Sequence, residues 1–590
     1  MPFCWLENER NLSKVSFFLI KILPASVAWL SSLFIVSFPI FDPDLYWHLA
    51  NGRAMVASRQ IINEDIMSYT HYGMDFVNHE WLSQALFYLL WDNLGPSGLF
   101  AFKLFLSSLI VFFIYRSVLV MGGTQWIAAQ LGVIAVLAGL QRYHIRPELF
   151  TLLNMAILGY ILHRNRQNPN CSKCLWILPF LFVVWDWLHG AVIGVAYFSL
   201  FFAGENLKTV FPVFGKKAGL RNLNICYFLT MATVVLSPYG VRSYEHFMVL
   251  VSGNQGADRI FELQPMWQIA GGFLTFKFLF ILALVLIILS RRSFDITEAS
   301  LVLFFGFGAL QYNRLVGVAA IVFVPVIGRC LSAFFSGNSG SATKRISTVG
   351  MVLAMVITVV VGFNEKIVKM AGSFSPHGTY ILPSETAFGF SLNELLTPAG
   401  STRFIQDMGL KGNMYNNANL GGYLSFYLAP VRPIFQYNMP PIFGDTTRYV
   451  KNPRELEQWH VNYALAGSAG ELTRLFPSTH WAWVYSDYVS TLVVRRTPQN
   501  QALIDEYEIQ YFSPEQSLVD YHALVANSRV YPRLAFEMGV YLAYMKDDRI
   551  AERWGQMLLR HPDLLDIPSI QEVFIKAVER NNGIRQTLMR

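Results

Sequence analysis

The sequence predicts an α-helical polytopic membrane protein with a C-terminal α/β domain and a short helical tail, and three observations carry that prediction. The chain is 590 residues long, 53% hydrophobic and only 14% charged, with a mean hydropathy of +0.36, which is too apolar and too long for one soluble domain. It contains about eleven apolar runs long enough to cross roughly 30 Å of hydrocarbon. These runs end near residue 363, and beyond it strand-like and helical stretches alternate.

The apolar runs lie near 17–40, 98–120, 124–140, 147–163, 174–188, 190–206, 223–238, 271–290, 297–312, 315–334 and 345–363. No small-residue cleavage site follows the first, so it reads as a retained anchor. With Arg10 and Lys14 in the cytoplasm, the basic loops Arg164/Arg166/Lys173, Lys208/Lys216/Lys217/Arg221, Arg291/Arg292 and Lys344/Arg345 all fall inside, as the positive-inside rule requires. An odd helix count then sends the C-terminal region to the extracytoplasmic face. The expected domains are a transmembrane domain over 1–363, an extracytoplasmic α/β domain over 364–512 and a helical, TPR-like tail over 513–590. Within the outer loop 42–97, Leu45 and Leu49, then Trp81, Leu82, Ala85, Leu86, Leu89 and Leu90, recur at helical spacing and predict two interfacial helices. In the α/β domain, strands are expected at Gly412–Tyr415, Val431–Phe435, Trp481–Tyr485 and Thr491–Arg495, with helices near 400–409, 453–464 and 468–476.

A net charge of +7 would suggest nucleic acid in a soluble protein, but many of these cations sit in short loops that set topology, which excludes that partner. The five cysteines all precede the C-terminal region, so no disulfide framework holds it. Cys171-x-x-Cys174 lacks the second ligand pair of a structural zinc site, and no metal centre is expected there.

The residues that carry chemistry gather on the predicted outer face. Phe41-Asp42-Pro43-Asp44-Leu45-Tyr46-Trp47-His48-Leu49 follows the first apolar run directly. With Pro43 starting a helix, Asp42 is its N-cap and Asp44 lies in its first turn. Capping explains one aspartate; it does not explain the second together with His48. A carboxylate here would act as general base toward an acceptor or would bind a divalent cation, and these residues do not choose between the two. His79 and Glu80 head the second interfacial helix, as caps or as site residues. Arg142, Arg146 and Arg314 stand at the ends of apolar helices on the side opposite the basic loops, where an unpaired charge is costly. With His144 they suit a phosphate, because guanidinium forks match phosphate oxygens. His48, His189, Tyr239 and Glu262 are expected to line the same cavity. Gly421-Gly422 lacks the spacing of a nucleotide fingerprint and reads as a tight turn. The neighbouring Tyr415, Tyr423, Phe426, Tyr427, Tyr437 and Tyr449 read as core aromatics.

A helix, an acidic outer-loop motif and two interfacial helices together resemble the GT-C superfamily of polyprenyl-phosphate-sugar-dependent glycosyltransferases, and Phe41-Asp42-Pro43 is similar to the first-loop motif of its oligosaccharyltransferases. The chain also resembles bacterial multi-pass proteins with DPDLWWHL, NHEWL, RP and NPYG motifs. It matches them at Asp42–Leu49, Asn78-His79-Glu80-Trp81-Leu82, Arg146-Pro147 and Ser237-Pro238-Tyr239-Gly240, where Ser stands for Asn. The tail segments Gly421-Gly422-Tyr423-Leu424, Arg432-Pro433-Ile434-Phe435 and Phe443-Gly444-Asp445 match as well, so the resemblance spans most of 15–500. It implies transfer of a sugar from a polyprenyl-phosphate donor to a glycan, lipid or protein acceptor. Asp42 would then be the first catalytic carboxylate, Asp44 the second, and His79 and Glu80 would lie near the donor. A flippase of lipid-linked glycans or a non-catalytic scaffold are the rival readings. Interfacial rather than deeply buried acids argue against the flippase.

Overall fold

The computed structural model describes residues 22–40, 42–215, 220–233, 261–269, 273–290, 294–336, 397–439, 452–467, 469–486 and 489–508, with isolated positions between them. In chain order the first helices are α1 (Leu23–Val36), α2 (Pro43–Ser58), α3 (Trp81–Val120), α4 (Gln125–Ala138), α5 (Glu148–Gln167) and α6 (Leu178–His189). Then come α7 (Val192–Val210), α8 (Leu220–Thr233), α9 (Leu274–Leu289), α10 (Ile296–Gln311) and α11 (Val316–Ser336). The C-terminal region holds α12 (Ala399–Asp407), β1 (Asn413–Asn416), α13 (Ala418–Tyr427), α14 (Pro453–Glu457), β2 (Val461–Ala466), α15 (Ala469–Leu475), β3 (Trp481–Ser486), β4 (Thr491–Arg495) and α16 (Gln501–Tyr507). The chain divides into two compact units, residues 1–38 with 77–369 and residues 39–76 with 370–590.

The first unit is a helical bundle. Ten of the eleven apolar runs coincide with its helices, and the run at 345–363 lies outside the described residues apart from Thr358 and Val360. Among the described residues, two segments are long and apolar enough to cross a hydrocarbon core, α3 with 40 residues and Asn313–Phe334 with 22; α1, α4, α9 and α10 are apolar but shorter. The full count of spans stays an expectation of the sequence. α11 is largely apolar and buries Val318, Ala319, Phe323, Val324 and Ile327, as a central helix must. α9 buries Phe276, Leu279, Phe280 and Ala283 on one face and leaves Phe278, Ile281, Val285 and Ile288 exposed on the other. Exposed Phe105, Phe112, Phe228, Phe304 and Phe307 extend this apolar surface, which suits lipid and not water. The second predicted interfacial helix is present as the first part of α3, which Gly95, with non-helical φ/ψ (φ 64°, ψ −166°), and Pro96 separate from the apolar part that follows.

One end of this bundle is tied by charge. Arg166 of α5, Lys208 of α7 and Arg329 of α11 meet Glu205 of α7, Asp295 at the N-cap of α10 and Glu298 in its first turn. Lys208 Nζ is 2.5 Å from Glu205 Oε1 and 2.7 Å from Asp295 Oδ2, and Arg329 Nη2 is 2.6 Å from Glu298 Oε2. Arg166 also pairs with Asp295. Cations and carboxylates balance, which is what makes such burial tolerable.

The second unit contains a four-stranded sheet in the order β1-β2-β4-β3, with β1–β2 parallel and the other two pairs antiparallel. Three strands lie where the sequence places them. The expected helix 453–464 is only α14, and its last residues form the central strand β2, whose Val-Asn-Tyr-Ala-Leu-Ala run is buried on both faces and so lacks a strand's alternation. Val431–Phe435 is not a strand; Ile434 makes one bridge, to Ser68. Gly421-Gly422 is not a turn but lies within α13. A Cβ at Gly421 would collide with the Gln436 carbonyl oxygen and one at Gly422 with that of Pro43, so the pair lets α13 settle onto its neighbours. α2, expected at the membrane interface, packs on α13 and buries Leu45, Tyr46, Trp47, His48 and Leu49. Tyr415, Tyr423, Phe426 and Tyr437 are core residues, while Tyr427 is exposed. The TPR-like tail at 513–590 and Tyr449 lie outside the described residues.

Candidate functional site

In the first unit, the end of the bundle opposite the Arg166 network gathers most of the predicted site residues. Arg142 ends a 3₁₀ turn (Leu140–Arg142) after α4, Arg146 precedes α5, Glu148 occupies the first turn of α5, and Arg314 lies in the turn between α10 and α11. A Cβ at Gly139 would come within 2.9 Å of Gly317 Cα, so paired glycines let the Arg142 and Arg314 segments approach. Arg142 Nη1 is 3.0 Å from Glu262 Oε1 and 3.5 Å from Glu148 Oε2. Arg146 Nη1 is 2.8 Å from the same Glu262 oxygen, and Arg314 Nε is 3.8 Å from the same Glu148 oxygen. Among the described residues, the three guanidiniums thus share the carboxylates of Glu148 and Glu262. Burial alone would raise the Glu262 carboxyl, but Arg142, Arg146 and Arg314 outweigh it and hold Glu262 well below the usual carboxylate range. His144, grouped with these arginines by sequence, packs on the ring of Phe38 at 5.0 Å between centroids, and buried Lys103 donates to the Phe38 carbonyl at 3.1 Å.

Glu80 and His79 stand beside this cluster, at the N-terminus of α3. Glu80 Oε1 is 3.3 Å from His189 Nε2 and 3.7 Å from His79 Nε2. Arg314 Nη2 approaches the same His189 nitrogen at 3.3 Å, and His189 Nδ1 meets Thr151 Oγ1 at 2.8 Å. Trp185 Nε1 donates to Thr151 at 3.0 Å. Burial pushes the Glu80 carboxyl up to about 7, against the pull of Arg314 and Arg146. Burial also lowers the affinity of His79 for a second proton. The segment is braced by Ser83 Oγ donating to the Leu188 carbonyl and by Asn78 Nδ2 donating to Gln84 Oε1 at 2.9 Å. Tyr239 bonds the Asn78 backbone. Among these residues, Glu148, Thr151 and Lys103 were not read as site residues from sequence; only the position of Glu148, two residues after Arg146, offered a signal.

Asp42, Asp44 and His48 belong to the second unit. Asp42 is the N-cap of α2, as its sequence position predicts: its Oδ1 accepts from Asp44 N at 3.0 Å, and the residue is buried. The His48 ring lies 3.8 Å from that of Trp47, also buried. Among the described residues, no group of three or more His, Cys, Asp or Glu side chains could hold a metal ion. A further buried acid is Asp65, which sequence reading passed over although Asp65-x-x-Ser68 is a turn signature. Asp65 Oδ1 accepts from Met67 N, Ser68 N and Tyr437 Oη, and Oδ2 from Ser68 Oγ. Burial raises its carboxyl, opposed by those bonds. It fixes the loop of residues 63–71 to the residues around Tyr437.

No family model matches the chain, and no curated protein sequence does. Among solved structures the chain is similar to the oligosaccharyltransferase of Archaeoglobus fulgidus tethered with an acceptor peptide containing the NVT sequon, with 12% identity over 82% of this chain and 75% of that one and a TM-score of 0.47. It is similar also to ArnT from Cupriavidus metallidurans, at 16% identity over 82% of this chain and 98% of that one, with TM-scores of 0.47 for the apo state and 0.46 for the state bound to undecaprenyl phosphate. Scores at this level do not establish a common fold, and the chemistry rests on the residues of this chain.

Proposed function

We propose that the chain is a membrane glycosyltransferase of GT-C type, which moves a sugar from a polyprenyl-phosphate carrier to an acceptor on the extracytoplasmic face. The observation that carries this reading is the convergence of Arg142, Arg146 and Arg314 around Glu148 and Glu262 at one end of an apolar bundle. Such a cluster suits the phosphate of a lipid-borne donor, and it stabilises the charge that develops as that phosphate departs. In the transfer step, an acceptor oxygen or nitrogen forms a bond to the anomeric carbon while the bond from that carbon to the phosphate oxygen breaks. The acceptor's proton passes to a carboxylate, for which Asp42 is the first assignment and Asp44 the second. Polyprenyl phosphate leaves with the bonding electrons, held by the arginines. The motif Asp42–Leu49 and the segment Asn78–Leu82, with their resemblance to GT-C proteins, support the same reading.

The test is binding of polyprenyl monophosphate to the purified protein in detergent. Charge-assisted hydrogen bonds contribute about 1.5–3 kcal/mol each, so Arg146→Gln and Arg314→Gln are each expected to weaken binding by roughly tenfold or more. Asp42→Asn is expected to bind the lipid as the unaltered protein does. Arginine variants with full affinity would remove the donor site from this end of the bundle.

A further inference from the structure

His189 touches the arginine cluster with one edge of its ring and the start of α5 with the other. Its Nε2 lies 3.3 Å from Arg314 Nη2 and 3.3 Å from Glu80 Oε1, and its Nδ1 lies 2.8 Å from Thr151 Oγ1. Holding one edge of a planar ring directs the opposite edge, so the Thr151 contact aims Nε2 at Arg314. A hydroxyl both donates and accepts, so this contact forms with a proton on Nδ1 and without one.

Thr151 is itself held in place. An indole Nε1–H only donates, so Thr151 Oγ1 accepts from Trp185, at 3.0 Å. Trp185 is fully buried, with the Phe182 ring centroid 5.4 Å from its own and Gly194 so near that a Cβ there would come within 2.4 Å of Trp185 Cζ3. An indole packed this closely keeps the hydroxyl in one position. Thr151 also stands one turn beyond Glu148 on the same face of α5, and Glu148 Oε2 lies 3.8 Å from Arg314 Nε. One face of α5 therefore meets Arg314 twice, directly through Glu148 and by way of Thr151 and His189. Of the three arginine side chains Arg314 is the most exposed, 33% against 23% for Arg146 and 5% for Arg142, and so the most open to a ligand.

We infer that Thr151 and Trp185 are positioning residues of the donor site, which set His189 and, through it, the Arg314 guanidinium that receives the carrier phosphate; this rests on reading the arginine cluster as that site. Guanidinium recognition of phosphate depends on direction as well as charge, because the planar N–H fork must meet the oxygens. A ring released from Thr151 lets Arg314 turn with it. The ordering then falls to the moment of binding, at a cost in affinity.

The test is calorimetric binding of polyprenyl monophosphate to the purified full chain in detergent. Thr151→Val keeps the shape of the side chain and removes the hydroxyl, and it is expected to weaken binding about three- to tenfold. Thr151→Ser returns the hydroxyl and is expected to restore the affinity. A double-mutant cycle separates positioning from mere loss of packing: in a His189→Ala background, Thr151→Val is expected to cost nothing further, because the ring through which it acts is gone. Thr151→Val takes the acceptor from the Trp185 N–H, so Thr151→Val combined with Trp185→Phe, which removes both partners, takes its place if the single variant does not fold. Full affinity without the hydroxyl, an equal loss with and without His189, or no recovery in Thr151→Ser overturns the positioning and leaves the donor site standing, provided that Arg314→Gln still weakens binding. Absence of binding, or full affinity in the arginine variants, overturns both.

Discussion

Glu80 and Glu262 stand in one cluster, yet their carboxyls are displaced in opposite directions, and the cause is which neighbour dominates each. Burial wins at Glu80, whose carboxyl rises to about 7, while the arginines win at Glu262. The linkage signs follow. Glu80 binds its proton more tightly folded than unfolded, so its stabilisation is complete below about pH 4.5 and is lost as pH rises through about 7, a change on the order of 3 kcal/mol. Glu262 stabilises above its unfolded pKa, and that contribution is lost only as pH falls below the ordinary carboxylate range. Thermal unfolding in detergent between pH 5 and 7.5 checks this: the unaltered protein is expected to lose stability across the window and Glu80→Gln to be flatter. Equal slopes would mean that Glu80 is already ionised at pH 5. At this scale the sequence was partly legible. Arg142, Arg146 and Arg314 stood out because charge at the end of an apolar helix demands a partner. Their partners Glu148 and Glu262 come from separate segments, and only the folded chain shows which carboxylate oxygen each arginine reaches.

Among the elements, α13 and β2 show where local patterns stop being informative. Gly421-Gly422 reads as a turn because glycine has no side chain to place, yet the same property serves close packing within a helix. Gly421→Ala would drive a methyl group into the Gln436 carbonyl, at an expected cost of about 1–3 kcal/mol. Limited proteolysis of the full chain is expected to cut the variant's C-terminal region at lower protease concentration, and unchanged resistance would show that α13 can shift to make room. β2 reads in sequence as the end of a helix because a strand buried on both faces presents a continuous apolar run. The amphipathic stretch at 81–94 was correctly found at helical spacing. Its separation from the apolar run at Gly95-Pro96 is legible because those residues interrupt a helix.

The whole molecule divides where the chain does not. Residues 39–76 follow α1 directly in sequence but pack with the C-terminal region, through α2 on α13 and through the loop that carries Asp65, Tyr69 and Thr70. Proximity in sequence reads this segment as part of the outer loop that follows α1, and contacts between segments hundreds of residues apart join it to the C-terminal region. The helical bundle itself was legible because lipid-facing and buried helices are both apolar, so each run of hydrophobic residues announces a helix. In the proposed function, sugar is transferred with Asp42 as the acting carboxylate. Asn caps a helix as well as Asp does, so Asp42→Asn removes the charge and keeps the start of α2 intact. The most direct measurement is mass spectrometry of cell-surface glycans from cells that carry either the unaltered protein or Asp42→Asn at equal membrane levels. Loss of one glycan in the variant is the expected result, and an identical glycan profile would contradict the claim.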